Sequence, residues 1–122
     1  MLDMLKLEKC HFRGIGETSP LTNAEFNTIK EYDDNFNTDA DHRERSLVSC
    51  KECGQLYFHE WLELIDYENG NDPTYTKYIP VEDEAAADNL NELSAIELLG
   101  VKPRLERNYP ENAEHPTNVW LV

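Results

Sequence analysis

The sequence predicts an α+β fold: a small antiparallel sheet containing a Cys-x-x-Cys-Gly knuckle hairpin, with two or three short helices packed on it. Three observations carry this. Cys50-Lys51-Glu52-Cys53-Gly54 follows the apolar run Ser46-Leu47-Val48 and precedes an aromatic-rich run from Leu56 to Ile65. A second β-rich run, Tyr75-Thr76-Lys77-Tyr78-Ile79, lies beyond Asn69-Gly70, a hairpin turn signal. Residues 82–99 join leading acids, three alanines and spaced leucines in a helical pattern. A length of 122 residues fits one domain, 1–122.

Taken in order, residues 2–9 read as a weakly patterned first strand. Thr22 and Glu25 make a capping box after Pro20, and Phe26 and Ile29 then share a face, which predicts a short helix over 23–32. The polar stretch 33–45 reads as loop, and Ser46-Leu47-Val48 as a short strand. Over 55–67 the apolar residues also fit helical spacing, but aromatic and β-branched content before Asn69-Gly70 favours a strand. Glu82, Asp83 and Glu84 suit the positive end of a helix. Ser94 and Glu97 form a second capping box, with Leu93 and Leu98 at the staple positions, and Gly100 and Pro103 end this helix. The tail reads as loop until Thr117–Val122, a last strand.

Charge narrows the partners. Acids number 25 and Lys plus Arg 11, a net charge of −14. Residues 31–97 carry 18 of the acids and four of the bases, so the whole excess lies in the middle of the chain. Such a field repels nucleic acid and anionic membrane and attracts a basic protein. No signal peptide and no apolar run of membrane-spanning length is evident. Three cysteines do not complete a disulfide framework, so a reducing cytoplasm is the expected location.

The knuckle is the main chemical signal. A tight turn closed by Gly54 would present the Cys50 and Cys53 thiolates to a zinc ion, but a structural site needs four ligands. Cys10, His11, His42, His59 and His115 are the remaining candidates, and none repeats the spacing. The knuckle is therefore either half of a zinc site or a ribbon-like turn without metal. A redox dithiol is disfavoured by Glu52 between the cysteines and by the absence of a βαβ pattern. Asp33, Asn35, Asn37, Asp39, Asp41 and Glu44 match a calcium-loop spacing, but Thr38 replaces its glycine and no helix follows. No catalytic motif stands out, and a non-enzymatic role is expected.

If 55–67 is a strand, Tyr57, His59, Trp61 and Glu63 share one face, while Leu56, Phe58, Glu60 and Leu62 share the other, which looks more like the core side. Aromatic anchors with complementary charge suit a surface for a basic protein. The expected contact residues are Tyr57 and Trp61 with the carboxylates Glu60, Glu63, Asp66, Glu68 and Asp72, gathered on one exposed region.

The run Cys50 to Tyr57, Asn71-Asp72-Pro73 and Tyr78-Ile79-Pro80-Val81 resembles small bacterial proteins built on a CxxCG, zinc-ribbon-like knuckle. The resemblance runs from Ser46 to Pro103 and implies no catalysis. In size and charge the chain also resembles the immunity proteins of contact-dependent inhibition and other toxin systems. That second resemblance implies a cytoplasmic inhibitor of a basic nuclease toxin, with carboxylates in place of phosphates. It carries over no residue.

Overall fold

A computed structural model describes residues 10–32, 42–65, 68, 70 and 72–122. The predicted strand 2–9 and most of the calcium-like loop lie outside the described residues. The core element is a six-stranded antiparallel sheet in which each strand pairs with the next: β1 (Phe26–Tyr32), β2 (His42–Cys50), β3 (Leu56–Glu63), β4 (Thr74–Val81), β5 (Arg104–Tyr109) and β6 (Thr117–Leu121). Two short helices, α1 (Glu84–Asn91) and α2 (Ala95–Leu98), fill the connection between β4 and β5. Among the described residues no helix is long and apolar enough to cross a membrane.

Opposed residues in antiparallel strands share a face, so the register sorts the side chains. One face carries Cys50, Val48, Tyr57, Tyr78, Leu105 and Trp120, and the N-terminal segment covers one end of it. The other carries Leu47, Phe58 and Ile79, beneath Ala87 and Leu98 of the helices. Both faces are thus buried around Leu56-Tyr57-Phe58, and Tyr57 and Phe58 are each 0% exposed.

The helical layer is capped and then anchored by arginines. Asp83 accepts from the Ala86 amide, and the Ser94/Glu97 capping box forms in both directions. Arg45 Nη1 on β2 donates to the Asn91 carbonyl at 3.0 Å, at the end of α1. Arg104 Nη1 on β5 donates to the Leu99 and Val101 carbonyls beyond α2. Each cation meets the negative end of a helix and satisfies carbonyls the helix leaves unpaired.

Three expectations change. The stretch 23–32 is not a helix. Thr22 N–H donates to Glu25 Oε2, but the box closes only a single 3-10 turn, Asn23–Glu25, and β1 follows. Phe26 explains why: its ring stacks on Phe12 and on Tyr78, at centroid distances of 4.9 and 5.0 Å, and this holds the chain extended along the sheet. The loop expected over 33–45 is strand from His42 onward, where Arg43 and Arg45 are buried. The tail contains β5, in which Leu105 is fully buried and Arg104 pairs with Glu106 at 2.6 Å. The β3–β4 connection runs from 64 to 73, since Glu63 faces Thr74. Gly70 there has φ +67°, a conformation that favours glycine.

Candidate functional site

The knuckle forms at the end of β2. Gly54 N–H donates to the Cys50 carbonyl at 2.8 Å, and Cys50 N–H donates to the Gln55 carbonyl at 2.9 Å. Gly54 takes φ +79°, which a side chain would strain, and so lets the chain turn back into β3. Cys50 is buried and Cys53 is half-buried beside it.

The third thiol comes from the N-terminal segment. Residues His11–Gly14 make one 3-10 turn that inserts Phe12 against Phe26 and edge-on to Tyr57. Strand β6 holds this segment in place. Trp120 Nε1 donates to the Phe12 carbonyl at 2.6 Å, the Asn118 amide N–H to Glu17, and Asn118 Nδ2 to Gly16 and Ser19. Cys10 is thereby carried under the sheet, and the sulfurs of Cys10, Cys50 and Cys53 all lie within 4.8 Å of one another.

Burial is the main reason the Cys10 thiol is pushed up to about 12. The Tyr57 hydroxyl, which donates to Cys10 Sγ at 3.2 Å, pulls it down, while Cys53 and Cys50 push it up again. Three sulfurs within 4.8 Å of one another, two of them on buried cysteines, cannot all carry negative charge without a cation among them. A divalent ion preferring sulfur would relieve that conflict, and three thiolates with one further position match zinc chemistry. No described Cys, His, Asp or Glu completes the cluster. The His11 side chain lies outside the described residues.

No family model, no curated protein and no solved structure matches this chain.

The expected contact residues are separated by the fold. Tyr57 is an interior residue between Phe12, Phe26 and Tyr78, and its hydroxyl serves Cys10. Glu60 is 0% exposed on the helix-covered face, bonded to Arg45 at 2.7 Å and 3.7 Å from Lys77 Nζ. Neither can touch a partner, because core packing and a buried ion triplet hold them inside. Trp61 and Glu63 are half-buried near the end of β3, and Glu68 and Asp72 are exposed in the following connection. Asp66 lies outside the described residues. Among the described residues the exposed carboxylates do not form one patch: Glu82, Asp83 and Glu84 border the helical layer, while Glu44 stands on the opposite face of the sheet.

Cys10 was one candidate ligand among five, and its sequence neighbourhood carries no spacing signal. The readable hint for Tyr57 was local: Leu56-Tyr57-Phe58 is apolar without alternation, which marks a strand buried on both sides.

Proposed function

We propose that the protein binds a zinc ion through the thiolates of Cys10, Cys50 and Cys53, and that the ion fastens the N-terminal segment to the sheet. The convergence of the three sulfurs within 4.8 Å supports this reading above any other. The knuckle supplies two ligands in a preformed turn, and the Phe12 insertion delivers the third from a distant part of the chain. Tyr57 acts behind them: its hydroxyl hydrogen bond steadies a thiolate at Cys10. A thiol cluster of this kind needs a reducing compartment such as the cytoplasm. Metal analysis of protein purified under reducing conditions tests the proposal. Stoichiometric zinc in the wild type, lost in Cys10→Ser and Cys50→Ser, is the expected result, and metal-free wild type would refute it.

A second reading concerns partners. Net charge −14, together with half-buried Trp61 and Glu63 on β3 and exposed Glu68 and Asp72 in the connection that follows, favours an acidic module that occludes a basic protein, such as an immunity protein blocking a nuclease toxin. Electrostatic steering would make association fast and salt-sensitive. An on-rate with a basic nuclease domain that is independent of ionic strength would contradict this mechanism.

A further inference from the structure

The sheet face that carries the cysteines changes character along its strands. Near the knuckle it is apolar and covered by the N-terminal segment. Towards the other end the register lays down two transverse rows: Ser46, His59, Tyr78 and Leu105, then Glu44, Trp61, Thr76 and Arg107. Apart from Leu105, these rows floor two adjoining cavities of about 440 and 400 Å³, which share Glu44, His59 and Tyr78. The larger is within the size range of small-molecule sites.

Its polar groups are positioned but not used up. Thr76 is only 9% exposed and lines the cavity. Its hydroxyl is not a fully buried, unsatisfied group, so it opens onto the cavity, where a ligand or water can meet it. His59 bonds Ser46 Oγ through Nδ1 at 3.2 Å, which leaves its Nε2 for the cavity. Burial pulls its pKa down to about 4, so the ring is neutral near pH 7. Arg107 is fixed by bonds from Nη1 to the Ser19 carbonyl and Asn118 Oδ1, which orient the rest of its fork. Trp61 and Tyr78 supply aromatic surface.

We propose that this cavity is a binding site for a neutral polyhydroxylated ligand, a sugar ring, packed against Trp61 with its hydroxyls shared among Glu44, Thr76, His59 and Arg107. Charge balance carries the choice. Glu44 and Arg107 are the two charged residues that line the larger cavity, so it is neutral within a chain of net charge −14. An anion would meet Glu44 and the field of the whole molecule, and a cation would meet Arg107 at close range. A wholly apolar ligand would strand four polar groups. Adjacent sugar hydroxyls both donate and accept, and so can satisfy a carboxylate and a guanidinium at once through charge-assisted bonds. The ring's apolar face suits an aromatic wall. The adjoining cavity, with Thr28 and Ser46, leaves room for a second ring.

This inference does not depend on the metal. The test is a titration of the intact protein with maltose, cellobiose, lactose and diacetylchitobiose, followed by calorimetry and by the indole N–H resonances. The expected result is saturable binding of at least one sugar, with a dissociation constant on the order of 1 mM, that moves the Trp61 signal and spares Trp120. Thr76→Val, which keeps the shape and removes the hydroxyl, should weaken binding about tenfold, and Trp61→Ala should abolish it; thermal melts confirm that both variants fold. Absence of saturation by all four sugars up to about 50 mM would overturn the proposal. So would saturable binding unchanged in Thr76→Val and Trp61→Ala, or binding of uridine or arginine amide at this site in place of the sugars.

Discussion

Removing the metal should release a cross-link whose contribution can be worked from the fold. An ion held jointly by Cys10 and Cys50 closes a loop of about 40 residues in the unfolded chain, as a disulfide would. By chain-entropy arithmetic such a closure is worth about 4 kcal/mol at 25 °C. For a domain of this size 1 kcal/mol shifts the melting midpoint by about 4 °C, so the midpoint should fall by roughly 15 °C when the ion is withdrawn. The assay is a thermal melt at pH 7.5 under reducing conditions, with and without a strong zinc chelator, on the wild type and on Cys10→Ser. Wild type should lose about that much on chelation. Cys10→Ser should start near the chelated value and respond little to the chelator, because its N-terminal segment is no longer tied through the ion. A wild-type midpoint that chelator leaves within about 2 °C, in protein shown to melt reversibly, would refute the cross-link.

Glu60→Gln should destabilise the fold by about 3–5 kcal/mol, because Arg45 and Lys77 would remain buried without their carboxylate, and it should leave zinc content unchanged; chemical denaturation measures this. Tyr57→Phe keeps the ring packing and removes the bond to Cys10, so zinc affinity measured by chelator competition should fall about 10- to 100-fold. His59 has a folded pKa near 4, below its unfolded value of about 6.5, so its contribution is complete above pH 6.5 and is lost as pH falls from about 6.5 to 4. His59→Gln should therefore flatten the decline of stability in that window, and an unchanged slope would contradict burial of the neutral ring.

The hairpin and the second capping box were legible because their signals are local. Ser94 and Glu97 need only each other, and β3 and β4 carry their own aromatic and β-branched content. The misread elements depend on distant residues. The Thr22/Glu25 box is a sound start signal, yet Phe26 stacks between Phe12 and Tyr78, and that tertiary contact ends the helix after one turn. Strand β5 reads as polar because Arg104 and Glu106 find their partners in each other and in the α2 end. Glu60 falls on the core-side face of β3 yet was expected at a partner surface, because its counter-ions come from two neighbouring strands, one of them read as loop. The knuckle was visible and its third sulfur was not: Cys10 reaches it only through the packing of Phe12 and the bonds from β6.

Cobalt substitution tests the metal centre most directly. Reduced, metal-free protein titrated with cobalt should take up one equivalent and develop the intense near-ultraviolet absorption of sulfur-to-metal charge transfer, at an intensity matching three thiolates, with Cys10→Ser showing two-thirds of it. A spectrum without charge transfer, and three thiols that react with a thiol reagent at the same rate before and after metal addition, would contradict the account.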